Sequence, residues 1–238
     1  AMWEGQMDAV AAVRRALPQI THAAEAAAER LSGSGRLIYA GAGTSGRIAV
    51  QDGAELGPTF GWPAARLLFA MAGGERALIN SVEGAEDDAA DGAAQMAAVG
   101  ADDVLIGVAA SGATPFTLAA IKEARGCGAL TIGLANNPGA PLLEAAEFPV
   151  LLDTGSEVLA GSTRMKAGTA QKTALNIIST AIMIRLGRVY KGMMVDMQLS
   201  NAKLHKRAEK MVAGLAGCGE AEAAAALAAS SGRIKPAV

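Results

Sequence analysis

The sequence predicts a three-layer, doubly wound α/β fold with about five parallel strands and additional C-terminal helices. Three observations carry this. Five short, largely apolar runs recur along the chain. Segments with helical spacing separate them. Several runs end in turns rich in Gly, Ser or Thr. Continuous rather than alternating apolarity marks strands covered on both faces, and such strands belong to parallel sheets.

The elements follow in chain order. Residues 8–31 read as a helix, with Val10, Val13, Leu17, Ile20 and Leu31 near helical spacing and Gly33 and Gly35 closing it. Pro18 kinks or splits this helix, because it lacks the N–H that an inner turn needs. Strands are predicted at 36–40, 65–70, 103–108, 129–134 and 148–152, and helices at 45–52, 89–99, 115–126 and 140–146. A long helix over about 166–187 is apolar on most of its circumference, which suggests a subunit interface. Two more helices are predicted at 200–215 and 219–229. We divide the chain into a domain at 1–199 and a helical extension at 200–238; at roughly 150 residues per domain, 238 residues allow one or two.

Composition removes several classes of function. Hydrophobic residues make up 51% and charged ones 18%, but Ala supplies about 55 of the residues. No run of about 18 uninterrupted apolar residues is present, as a spanning helix would need. The start has no basic region followed by an apolar core, so a leader is not expected. Net charge is −2 and aromatics are 3%, which argues against a nucleic-acid platform. Cys127 and Cys218 form no CxxC, consistent with a reduced, cytoplasmic setting and with packed or semi-exposed thiols. With only His22 and His205, both read as surface residues, a His-based triad or a zinc site is not expected. No metal, cofactor, membrane or nucleic acid is expected.

In doubly wound folds ligands bind at the carboxyl ends of the strands. The first strand runs into Gly41-Ala-Gly-Thr-Ser-Gly46, a literal GxGxxG. A dinucleotide site also needs an acid ending the second strand, and none stands there; Glu75 comes too late. The turn therefore reads as a phosphate cradle with Thr44 and Ser45 as hydroxyl donors, or as a tight connection. The third strand adds a second turn of similar chemistry, Ser111-Gly-Ala-Thr114, which favours one small anion; Ser111 and Thr114 join the candidate ligands. The loop after the fifth strand gathers Ser162, Thr163, Arg164 and Lys166, either as caps and solvated cations or as contacts to an anionic substrate.

Five strings carry a resemblance: Gly35-Arg-Leu-Ile-Tyr-Ala-Gly-Ala-Gly-Thr-Ser-Gly-Arg47, Pro58-Thr-Phe-Gly61, Val82-Glu-Gly-Ala-Glu-Asp87, Ala109-Ala-Ser-Gly112 and Gly161-Ser-Thr-Arg-Met-Lys-Ala-Gly-Thr-Ala-Gln-Lys172. With them the chain resembles the N-acetylmuramic acid 6-phosphate etherases of the sugar isomerase (SIS) domain superfamily, from about residue 8 onward. The resemblance implies a flavodoxin-like SIS fold, a phosphosugar ligand, a homodimer, and cleavage of the D-lactyl ether to N-acetylglucosamine 6-phosphate and D-lactate in peptidoglycan recycling. It carries the family's two catalytic glutamates onto Glu55 and Glu86. Ala113 stands where the family usually has Arg.

Two carboxyls suit such a reaction without metal or redox cofactor: one takes the C2 proton and the other protonates the departing lactate oxygen. On this reading Glu55 is the acid and Glu86 the base. Glu83, Asp87 and Asp88 compete as ordinary solvated acids. A phosphosugar isomerase shares the first proton abstraction. A non-catalytic sugar-phosphate sensor would need the phosphate turns but no glutamate pair. A dehydrogenase fits least.

Overall fold

The computed structural model describes residues 1–238, and the chain forms two compact units. The first comprises Ala1–Gly53 and Ala65–Ile182; the second comprises Ala54–Ala64 and Met183–Val238. The boundary expected at 199 marks the start of the terminal helices. The compact unit to which they belong begins at Met183 and takes in Ala54–Ala64 as well.

The first unit holds five parallel strands, β1 Leu37–Gly41, β2 Leu67–Met71, β3 Val104–Val108, β4 Leu130–Ala135 and β5 Phe148–Leu151, in the order β2-β1-β3-β4-β5. The order reverses between β1 and β3, so the ligand-binding crevice of such a sheet opens at the carboxyl ends of these two strands. Gly41 pairs with Val108, which starts the two following turns side by side. β1, β3 and β4 are buried throughout, as their apolar runs require. β2 is an edge strand, with Leu68 and Phe69 partly exposed. At the other edge, the Leu151 N–H donates to Gln19 Oε1 at 3.0 Å, which occupies an otherwise open ladder position.

The predicted first helix is two helices, α1 Met2–Arg15 and α2 Leu17–Arg30. The break at Ala16 puts Pro18 in the first turn of α2, where its missing N–H costs nothing. α1 also begins at Met2, six residues before the expected start. α3 Gly43–Ala54 follows β1, α5 Ala89–Ala94 precedes β3, α6 Pro115–Gly126 and α7 Pro141–Ala145 flank β4, and α8 Lys166–Arg185 follows β5. α5 stops at Ala94, shorter than predicted, and turns lead from there to Gly100.

One side of the sheet packs Ile38, Ala40 and Leu105 against Phe116, Ala120, Ile121 and Leu142 of α6 and α7. Complete burial of a side chain the size of Phe116 contributes about 2–3 kcal/mol. The long helix α8 is not buried on all sides. Ala167, Ala170, Ala174, Ile178 and Ile182 form a buried stripe, while Asn176 and Ile184 are exposed. Its apolar character therefore serves the interior of this chain, and the suggested subunit interface does not follow from it.

In the second unit, α4 Leu56–Phe60 accompanies a two-stranded hairpin, β6 Val189–Tyr190 and β7 Met193–Met194. Three helices complete it: α9 Ala202–Ala216, α10 Glu220–Ala229 and α11 Ile234–Ala237. Asn201 caps α9 by accepting from the Leu204 N–H at 3.0 Å. Val195, Met197, Ala208, Val212, Ala223, Leu227 and Ile234 form its own core. No single helix in the chain is long and apolar enough to cross a membrane.

Candidate active site

The turn from β1 into α3 is built on three glycines with different reasons. Gly43 has φ +52°, a left-handed conformation that disfavours side chains. Gly41 and Gly46 press together where strand and helix cross: a Cβ on Gly46 would meet Met71 Sδ at 2.4 Å and the Gly41 oxygen at 2.7 Å. The helix can thus begin immediately at the sheet's edge, with the N–H groups of its first turn lacking helical partners. Ser45 is buried and Thr44 half-buried in that first turn.

A cavity of about 340 Å³ opens at this turn. Ala42, Gly43 and Arg47 line it from the β1–α3 side, and Ser81, Val82, Glu83 and Glu86 from the segment after β2. Glu86 is exposed, as is Glu83. Asp88, one of the competing acids, caps α5 by accepting from the Asp91 N–H at 2.9 Å. Arg47 holds the far wall. Its Nε donates to the Ala77 carbonyl at 2.9 Å and its Nη2 to that of Asn80 at 2.8 Å. Sequence reasoning assigned Arg47 no role, although it ends the glycine-rich string.

Beside this turn, Ser111 Oγ accepts from the Ala113 N–H at 3.2 Å. Thr114 stands at the N-cap of α6 without a side-chain cap bond, and Pro115 occupies the first turn. The side chain that caps α8 after this loop is Glu157, whereas Ser162 and Thr163 contribute backbone bonds. Both Glu157 oxygens accept from the first N–H groups of α8, those of Lys166 and Ala167, at 3.0 Å. The Lys166 ammonium, nearly buried, donates to the Ser156 carbonyl at 3.0 Å. Ser162 is half-buried and Thr163 and Arg164 are exposed. A Cβ on Gly168 would lie 3.6 Å from the Thr44 methyl, so the first turn of α8 abuts the β1–α3 turn. Of the site residues expected from the sequence, Glu86 lines this cavity; Thr44, Ser45, Glu55, Ser111, Thr114, Ser162, Thr163, Arg164 and Lys166 are not among its lining residues.

Near the far end of α3 lies a polar cluster, mostly buried, that sequence reasoning also missed. The Asp52 carboxylate, on α3, accepts from Tyr39 Oη at 2.8 Å, Asn176 Nδ2 at 2.6 Å and Ser179 Oγ at 3.2 Å. Burial, together with the Asp52 charge and hydrogen bond, pushes the Tyr39 phenol well above its ordinary value of 10. Asn136 ties strands rather than facing a ligand: it donates to the Leu152 carbonyl at 2.9 Å and accepts from Gln171.

Glu55 follows α3 directly and stands at the N-cap of α4 in the second unit, exposed, with its carbonyl accepting from the Thr59 N–H at 3.0 Å.

The chain matches the family described as "SIS domain" over residues 79–181, and "Glucokinase regulatory protein N-terminal SIS domain" over 19–125. Among solved structures, a phosphoheptose isomerase from Francisella tularensis superposes with a TM-score of 0.56 at 23% identity, covering 79% of this chain and 95% of that one. The Vibrio vulnificus NanR protein complexed with ManNAc-6P gives 0.55 at 14%, covering 76% and 61%. At these identities the likeness speaks for the fold. Curated relatives are far more similar. An N-acetylmuramic acid 6-phosphate etherase of Deinococcus radiodurans is 55% identical over 240 residues, spanning 100% of this chain and 79% of its own. Another, of Rubrobacter xylanophilus, is 49% identical over 229 residues, spanning 95% and 76%. With an SIS sheet, a glycine turn at its switch point and relatives of this similarity over its full length, the chain belongs to the N-acetylmuramic acid 6-phosphate etherase family.

Proposed function

We propose that this protein is a carbon–oxygen lyase that cleaves the D-lactyl ether of N-acetylmuramic acid 6-phosphate, releasing N-acetylglucosamine 6-phosphate and D-lactate in peptidoglycan recycling. The observation that carries the reading is the shared cavity of Glu86 and the β1–α3 glycine turn. It puts a carboxylate next to a turn suited to a phosphate.

In the open-chain sugar the C1 aldehyde acidifies the C2 proton. Glu86 takes that proton, the C2–H electrons form a C2–C3 double bond, and the C3–O bond breaks. Glu55 gives its proton to the departing lactate oxygen. Glu55 then takes a proton from water as the hydroxide adds to C3, and Glu86 returns its proton to C2. Each carboxyl ends as it began, and the net change is addition of one water. Thr44, Ser45, Ser111 and Thr114 donate hydroxyls to the phosphate at the open first turns of α3 and α6. Ser162, Thr163 and Arg164 add contacts from the loop after β5, with Lys166 bracing that loop through Ser156.

The reading extends to a homodimer in the cytoplasm. Met2, Trp3, Met7 and Val10 stand exposed on α1, an apolar surface of the kind that association covers. Both cysteines are unpaired, consistent with a reducing compartment.

The test is release of D-lactate from N-acetylmuramic acid 6-phosphate by wild type, Glu55→Gln and Glu86→Gln. Lactate from wild type, with loss of turnover and retained N-acetylglucosamine 6-phosphate binding in both variants, supports the assignment. Wild type that binds the phosphosugar but releases no lactate points to an isomerase or a sensor. Full activity in either variant removes that glutamate from the mechanism.

A further inference from the structure

We propose that Arg188, in the second unit, is a positioning residue for Glu55. The inference rests on the reading of Glu55 as the acid that protonates lactate.

Glu55 begins α4, a helix of only five residues. A helix this short cannot hold its own shape, because nucleation costs more than so few hydrogen bonds return. Glu55 joins α4 to the end of α3, so its direction depends on how α4 is held at its far end as well as on α3. The structure supplies such a hold at the other end. Arg188 Nη1 donates to the Phe60 carbonyl at 2.8 Å and the Gly61 carbonyl at 3.0 Å. These are terminal carbonyls that the helix itself leaves without partners, and a cation there also matches the helix dipole. The same guanidinium lies 5.1 Å over the ring of Trp62, which is buried. Asp196 stands 3.9 Å from it and holds Lys235 as well.

The backbone around this clamp has little slack. Gly61 has φ +61°, and a Cβ there would meet the Asp196 carbonyl oxygen at 2.4 Å. The Gln198 N–H donates to the Pro58 carbonyl at 3.0 Å, and Leu56 and Phe60 are buried. The residues after α8 thus form a cradle for the segment that carries Glu55.

Four variants, Arg188→Ala, Arg188→Lys, Glu55→Gln and Glu86→Gln, are compared in two assays. One follows D-lactate release. The other follows exchange of the C2 proton of N-acetylglucosamine 6-phosphate with deuterated water, a reaction that needs the base but not the acid. Glu55→Gln is expected to lose lactate release and keep exchange, and Glu86→Gln to lose both. Arg188→Ala should follow Glu55→Gln, with kcat for lactate release down about 10- to 100-fold, as for a small displacement of a catalytic group, and with KM and exchange within about threefold of wild type. Arg188→Lys, which keeps the charge and the donors but loses the planar stacking on Trp62, should recover part of the loss, and it carries the test alone if the alanine variant does not fold. Lactate release unchanged in both Arg188 variants overturns the proposal. So does equal loss of exchange and lactate release, which marks general collapse. Lactate release retained by Glu55→Gln overturns the reading beneath it and is recognised separately.

Discussion

The Arg47 side chain donates to the Ala77 carbonyl at 2.9 Å, joining the first turns of α3 to the segment that follows β2. A second bond, to the Asn80 carbonyl, makes the hold a fork. Three residues beyond Asn80 comes Glu83, and then Glu86, both on the cavity wall. The glycine turn and the proposed base, Glu86, are thus registered to each other by one side chain. We expect Arg47→Ala to lower kcat about tenfold or more, since each charged hydrogen bond is worth about 1.5–3 kcal/mol. Arg47→Lys gathers its donors on a single nitrogen instead of the two that Arg47 uses, and should recover little. Steady-state lactate release measures both; unchanged kcat in the alanine variant would dismiss this role.

Asp52 is a second such joint. Its carboxylate takes three donors, one each from Tyr39, Asn176 and Ser179, and so binds β1, α3 and α8 together. Asp52→Asn keeps the volume but turns two amide hydrogens toward groups that are themselves donors. Unsatisfied buried polar groups cost about 1–3 kcal/mol each. At about 2–4 °C per kcal/mol for a chain of this size, a fall in Tm of about 5–10 °C is expected in a thermal melt. A change under about 2 °C would mean that the cluster contributes little.

Tyr39 gives the same cluster an alkaline limit. Its phenol is held neutral in the folded protein, first by burial and then by the charge and hydrogen bond of Asp52. The native state therefore keeps a proton that the unfolded chain releases above about pH 10. By linkage, stability is fully present below that pH and falls as pH rises through it. Tyr39→Phe removes the group and should flatten the dependence. Melting curves between pH 8 and 11 should show wild type losing Tm more steeply above pH 10 than the variant. Parallel curves would place the alkaline loss elsewhere.

Much of this architecture is legible in the sequence, for a physical reason. Strands buried on both faces must be apolar throughout, so 36–40, 103–108 and 129–134 announce β1, β3 and β4 to within one residue at each end. α6 is bounded by Pro115 and Gly126 and is read in full. α4 was missed because Gly57 and Pro58 disguise a short helix that tertiary contacts stabilise. The joining of 54–64 to the terminal helices is equally silent, since it depends on Arg188 meeting carbonyls 127 and 128 residues away. Thr44, Ser45, Ser111 and Thr114 stand out in the sequence because they lie in turns that directly follow apolar strands. Arg47 and Asp52 are not, because their partners are backbone atoms and side chains on other elements.

The glycine turn makes the last prediction. Gly46 lies where α3 crosses the end of β1, and a methyl there would meet both Met71 Sδ and the Gly41 oxygen well inside contact distance. The Met71 thioether can swing aside, since it is flexible. The Gly41 oxygen cannot, because β1 is paired on both sides. The helix start must therefore shift away from the strand, carrying Ser45 and the open N–H groups with it. Gly46→Ala is expected to cost about 1–3 kcal/mol, as overpacking does, and to weaken N-acetylglucosamine 6-phosphate binding more than tenfold in calorimetry. Because the displaced groups are those proposed to meet the phosphate, the non-phosphorylated sugar should not distinguish variant from wild type. If the variant binds the phosphosugar as wild type does, the phosphate is held elsewhere, and the turns after β3 and β5 become the candidates.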